Sequence, residues 1–190
     1  MSEFSFTLVH LDPMSERHIQ HVTATITTRL LNLGVIALNS RFNELWQPSA
    51  WMAGPDFKNV VVEVPWADSL TDTANSGVDI VTAREAFHPM GNEEEPRCGS
   101  CRAAAPATYA QTHGEWLQAW LDDAAEPVFT CTCGWEAPVG DWEGEFSVAV
   151  GAPAVTFHNW PDLTADFVAE LCKMMGGRTS IVRAHTHSYS

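Results

Sequence analysis

The chain has 190 residues, within the ~100–200 usual for one domain, and 45% of them are apolar, enough for a folded core. Twenty-four acidic side chains against ten basic ones leave a net charge of −14, which excludes a phosphate backbone as the main partner because nucleic-acid binding needs clustered Lys and Arg. No apolar run is long enough to cross a bilayer and no basic-then-apolar leader opens the chain, so the expected address is the cytoplasm.

Residues 3–11 alternate as a strand, with Phe4, Phe6, Leu8 and His10 on one face. Asp12-Pro13 offers an N-cap followed by proline at the first helical position. Ile19, Val22, Ile26, Leu30 and Leu33 then recur at helical spacing up to Gly34, a natural stop. The threonines at 23, 25, 27 and 28 pull locally toward strand. Residues 35–38 read as the next strand, and 41–55, rich in Pro, Gly and aromatics, as a long loop. Residues 59–66 and 77–83 read as two further strands. The last fifty residues repeat the opening plan. A strand spans 154–158, Trp160-Pro161-Asp162 opens a helix, Gly176-Gly177 ends it, and 178–187 alternate as a closing strand. Cys172 lies on that helix's apolar stripe and reads as a small core residue.

Between 91 and 145 the composition shifts. Eleven acidic residues face only Arg97 and Arg102, a net −9. Residues 112–121, with Trp116, Leu117 and Trp120, read as a short helix inside this stretch. Four of the five cysteines also lie here, in two tight pairs, Cys98-Gly-Ser-Cys101 and Cys131-Thr-Cys133-Gly134. Such pairs bring thiolates to one tetrahedral ion without a long ordered loop. In a reducing compartment they read as metal ligands before disulfides.

Over residues 96–136 the pairs resemble the knuckles of the zinc-ribbon family, with Phe129-Thr-Cys-Thr-Cys-Gly-Trp135 set between two strands. The second pair has one intervening residue where the ribbon pattern has two, and the first lacks the trailing glycine. The resemblance implies a structural zinc on Cys98, Cys101, Cys131 and Cys133, a filled coordination shell that leaves no water to activate. The expected fold is therefore α+β: a two-layer mixed or antiparallel sheet with two main helices, built from residues 1–90 and 141–190, carrying an acidic zinc-binding insert at 91–140.

Three further sets of residues are candidates for function. His113 and Glu115 ahead of paired cysteines are similar to the zinc deaminases, in which a His and two Cys hold the metal and a Glu moves protons. His10, His158, His185 and His187 fall at or near strand ends and, if gathered, would offer imidazoles to a second metal and a hydrolase. Trp46, Trp51, Trp135 and Trp142, the last two among Glu143 and Glu145, suit recognition of a basic protein by charge steering and aromatic anchoring. The function expected from these features is non-enzymatic protein binding with a structural zinc, most concretely an immunity-type inhibitor of a basic toxin or nuclease. The alternatives are a metal-dependent hydrolase or deaminase-like enzyme, and a subunit or adaptor of a larger assembly.

Overall fold

The computed structural model describes residues 2–42, 44, 49–90, 94–144 and 147–187. Strand β1 (Ser2–His10) is followed by helix α1 (Glu16–Asn32), β2 (Ile36–Leu38) and β3 (Trp51–Ala53). Two 3-10 turns, Phe57–Val60 and Ala67–Asp72, precede β4 (Gly77–Val81) and β5 (Glu85–Phe87). Helices α2 (Ala107–Gln111) and α3 (His113–Leu121) lead to the hairpin of β6 (Val128–Thr130) and β7 (Glu136–Pro138). The chain closes with β8 (Ala149–Gly151), β9 (Ala154–His158), α4 (Ala165–Met175) and β10 (Thr179–His187).

Six strands form one sheet in the order β10-β1-β9-β4-β3-β2, each neighbouring pair antiparallel. β1 lies second from one edge, between β10 and β9, so the C-terminal strand–helix–strand unit straddles the N-terminal strand. Both main helices cover one face. Val22, Ile26 and Leu30 of α1 and Phe167, Leu171 and Met175 of α4 bury against Phe6, Leu8, Val78, Val155 and Phe157. The architecture is α+β with two helices over a largely antiparallel sheet, as the alternation and the helical stripes lead one to expect. Cys172 is half-buried and packs against that core.

The threonines of α1 stay helical because their hydroxyls bond back to the preceding turn. Thr23 reaches the Ile19 carbonyl at 2.9 Å, Thr25 that of His21 at 2.8 Å, and Thr27 that of Thr23 at 2.7 Å. The helix starts later than Asp12-Pro13 suggests, with Ser15 as its N-cap. Asp12 instead accepts a hydrogen bond from the Arg178 backbone N–H at 2.8 Å. At α4 the chain stays non-helical to Thr164, because Trp160 is buried edge-on to Phe57 and Phe157.

Two other expectations give way. Residues 59–66 do not form a strand: Val60 and Val61 bury in the helix-side core, and pairing is limited to a bridge between Val61 and Leu163. Pro65 cannot donate to a ladder, which disfavours a paired strand here, and 3-10 turns stand on either side. Conversely, part of the expected loop at 41–55 is β3, held between β2 and β4.

The second face of the sheet is partly covered by the β5–β8 pair, where Val9, Leu11, Ala149, Ala154 and Val182 form a smaller apolar cluster with Phe87. β8 passes close above β1: a Cβ on Gly151 would lie 1.9 Å from the His10 carbonyl oxygen, so only glycine fits there.

Candidate metal centre

Each cysteine pair is shaped by its own backbone. In the first, Cys98 N–H donates to the Ala103 carbonyl at 2.8 Å and Arg102 N–H to the Cys98 carbonyl at 2.9 Å, while Ser100 N–H points at the Cys98 sulfur at 3.4 Å. In the second, Cys131 N–H donates to the Trp135 carbonyl at 2.7 Å and Gly134 N–H to the Cys131 carbonyl at 2.9 Å, closing the β6–β7 hairpin. Both turns need a left-handed residue just after the second cysteine. Gly134 supplies it in one (φ 86°) and Arg102 in the other (φ 64°). The missing glycine of the first pair is thus replaced by an arginine in the same conformation, and Arg102 also forms an ion pair with Glu143.

The pairs face each other. Sγ of Cys98 lies 3.8 Å from that of Cys133, and Sγ of Cys101 lies 3.6 Å from that of Cys131. All four sulfurs lie within 4.8 Å of one another, and among the described residues no other group of three or more His, Cys, Asp or Glu converges in this way. Four thiolates about 2.3 Å from one ion sit about 3.8 Å apart, so the spacing is that of a tetrahedral shell. The set could hold a metal ion, and the one-residue spacing of the second pair does not prevent convergence. Cys98 and Cys131 are buried and Cys101 and Cys133 exposed.

The electrostatics of the bare set fit a cation site. The Cys133 N–H, helped by hydrogen bonds from the neighbouring thiols, holds the Cys131 thiol down to about 6 against the effect of burial. At Cys101 the Ala103 N–H favours the thiolate, but the sulfurs of Cys133, Cys131 and Cys98 outweigh it and push the thiol up to about 12. Four thiolates this close repel one another, and a bound cation removes that repulsion.

Around the sulfurs lies an apolar cluster of Tyr109, Trp116, Trp120, Val139, Trp142, Val148 and Val150. Trp116 and Trp120 are the buried face of the expected short helix. Trp142 is 3% exposed and donates its indole N–H to the Ala137 carbonyl at 3.3 Å, so it has no surface to offer a partner. Trp135 meets it edge-on at 5.1 Å and covers Gly99 of the first knuckle. Trp51 is a half-buried residue of β3 packed on the helix-side core. Trp46 and Glu145 lie outside the described residues. Glu143 is occupied by Arg102 and by a backbone bridge to Arg97. The acids left exposed without an ion pair to a described residue include Glu94, Glu95, Glu115, Asp122 and Glu136.

Among the described side chains, His10, His158 and His185 do not gather. His158 shares the second sheet face with Ser5, and its Nε2 meets Asp79 Oδ2 at 2.9 Å. His10 and His185 lie on the helix-side face, six register positions and about 20 Å apart. His10 is buried, with Nδ1 3.0 Å from the Gly176 carbonyl oxygen. His187 pairs with Ser2 at the end of β10. His113 is not part of the sulfur cluster; its ring packs against Trp116 at 4.9 Å and His88 at 5.6 Å, and Glu115 is exposed in the first turn of α3.

Two clefts lie apart from the four cysteines. One, of about 410 Å³, lies over the second sheet face and is lined by the Asp79–His158 pair and by Thr7 and Thr156, whose hydroxyls are 3.0 Å apart. The other, of about 300 Å³, opens beside α2. Two arginines that the sequence did not single out join the cysteine-bearing segment to the sheet. Arg84 lies 4.0 Å over the Trp120 ring and donates to the Trp120 and Ala124 carbonyls. Arg178 donates to Glu126 and Asp141. No described helix is long and apolar enough to cross a membrane. The chain matches no family model, no curated protein and no solved structure.

Proposed function

We propose that this chain is a non-enzymatic protein-binding protein whose cysteine-bearing insert is held by a structural zinc in a zinc-ribbon-like site. Its most concrete role is that of an immunity-type inhibitor, masking a basic toxin or nuclease inside a reducing compartment. The observation that carries the reading is the closure of the sulfur set: four Sγ atoms converge, and no described His, Asp or Glu joins them. An all-sulfur tetrahedral set is characteristic of structural zinc and leaves no coordination position for substrate or water. The remaining chemistry is that of a surface. Glu94, Glu95, Glu115, Asp122 and Glu136 of the cysteine-bearing segment are exposed, and excess negative charge of this kind speeds the capture of a cationic partner.

The test combines metal analysis with partner capture. The purified chain should carry one zinc per molecule, unchanged in a variant lacking all histidines. Immobilised, it should retain from its native host one tight partner of high isoelectric point, with an association rate that falls steeply with salt. A partner of near-neutral charge, or a metal lost with the histidines, overturns the reading.

A further inference from the structure

The cleft beside α2 combines three features that together specify a ligand. Its walls are Pro96, Pro106, Tyr109 and Val148, of which Tyr109 and Val148 are 8% and 5% exposed. Glu94 and Glu95 line it as well, both exposed and neither in an ion pair with a described residue. Ser147 also lines it; it is 8% exposed, and its Oγ is buried with no hydrogen-bond partner among the described residues. A buried hydroxyl left unpaired costs about 1–3 kcal/mol. A ligand that brings a donor to it recovers that interaction.

We infer that this cleft is the anchor pocket for a lysine side chain of the basic protein partner, an assignment that rests on the protein-capture reading above. The four-carbon stem lies against the proline, tyrosine and valine walls, where burying each methylene is favourable. The ammonium, a compact charge with three donors, then meets the Glu94 and Glu95 carboxylates and the Ser147 hydroxyl. The burial of Tyr109 pushes its hydroxyl up to about 12, so that wall stays neutral at physiological pH. Among the described residues no Lys or Arg lines the cleft to compete for the carboxylates, and the imidazole of His113, which also lines it, is packed against Trp116 and His88.

The probe is a capped Gly-Lys-Gly peptide, titrated into the zinc-loaded chain and followed by amide and side-chain NMR. The same peptide with norleucine in place of lysine is the control. Saturable shifts centred on Tyr109, Ser147 and Val148 are expected, with norleucine binding at least tenfold more weakly. Ser147→Ala should weaken the lysine peptide about threefold to tenfold, and the pair Glu94→Gln and Glu95→Gln should weaken it further and remove its salt dependence. Ala110→Phe, on the exposed side of α2 at the cleft, fills the space without changing charge and should abolish binding, with folding checked by the melting temperature and the zinc content. Lysine binding that survives Ala110→Phe overturns the pocket and leaves a diffuse acidic surface. Norleucine binding as tightly as lysine overturns the ammonium assignment, and absence of saturable shifts overturns the site itself. In all three cases the capture experiment on the full partner reads the functional proposal independently.

Discussion

Arg178 Nη1 donates to Glu126 Oε2 at 3.0 Å, and Glu126 in turn accepts the Gly140 backbone N–H at 2.7 Å. Glu126 is only 13% exposed at its side chain, so a single carboxylate on the segment leading into β6 is held between an arginine before β10 and the turn after β7. The same guanidinium reaches Asp141 at 2.8 Å and Asp12 at 3.4 Å. Of ten basic residues in an acidic chain, this one holds three carboxylates from two parts of the sequence.

Arg178→Ala should therefore destabilise the protein by about 1–3 kcal/mol, because Glu126 is left mostly buried without its counter-charge. Arg178→Lys should recover only part of the loss, since an ammonium lacks the planar fork that serves several carboxylates at once. Urea unfolding midpoints of the two variants check both statements. Equal midpoints for Ala and Lys would show that the charge geometry contributes nothing.

Asp12 gives a pH signature. The Arg178 backbone N–H and the guanidinium charge hold its carboxyl below the ordinary range against a smaller opposing effect of burial. A carboxylate with a lowered folded pKa adds stability above its unfolded value, near 4, and loses it as pH falls through the folded value. Asp12→Asn should thus be less stable than the parent at pH 6, and the two should converge as the pH approaches 2. Melting temperatures across that interval measure the effect, and a constant offset at every pH would exclude the linkage.

These arginine contacts mark the limit of what the residues foretold. The strand at β1, the stripe of α1 and the repeat at β9-α4-β10 were legible because each carries a period that its burial obeys. The cysteine pairs were legible because ligand spacing is a local property. The contacts of Arg178 were not, because they join residues 37 and 166 positions apart through a topology no local pattern encodes. The valines at 60–62 misled for a related reason: β-branched residues favour strands, but Val60 and Val61 are buried against the helix-side core. The four C-terminal and N-terminal histidines shared strand ends in sequence, yet strand parity put His158 on one face and His10 and His185 on the other.

The two knuckles differ at one position in a way that can be measured. Gly134 and Arg102 both adopt positive φ. Gly134→Ala should cost about 1 kcal/mol, because a Cβ is strained in that conformation. Arg102→Gly relieves the same strain but removes the ion pair with Glu143, and the two effects should nearly cancel. Metal affinity, read by competition with a chromophoric chelator, should fall for Gly134→Ala and stay within about threefold for Arg102→Gly. A large loss at Arg102→Gly would mean the ion pair, rather than the backbone, shapes the first knuckle.

If the four sulfurs hold an ion, its removal should loosen the sulfur-side cluster and leave the helix-side core in place. The sulfurs of Cys98 and Cys131 are part of the same buried group as Trp116, Trp120 and Trp142, so losing the ion sets repelling thiols inside a core that cannot expand around them. Cys98→Ser or Cys131→Ser, or chelation of the parent, should red-shift tryptophan emission as these indoles gain water. The helix-side core of Phe6, Leu8, Ile26, Phe157 and Leu171 contains none of the four ligands, so amides of β1 and β9 should keep their protection from hydrogen exchange. If those amides lose protection together with the hairpin, the contacts of Arg84 and Arg178 couple the clusters into one cooperative unit, and the metal then holds the whole fold. If nothing changes on chelation, the four sulfurs do not carry a structural ion.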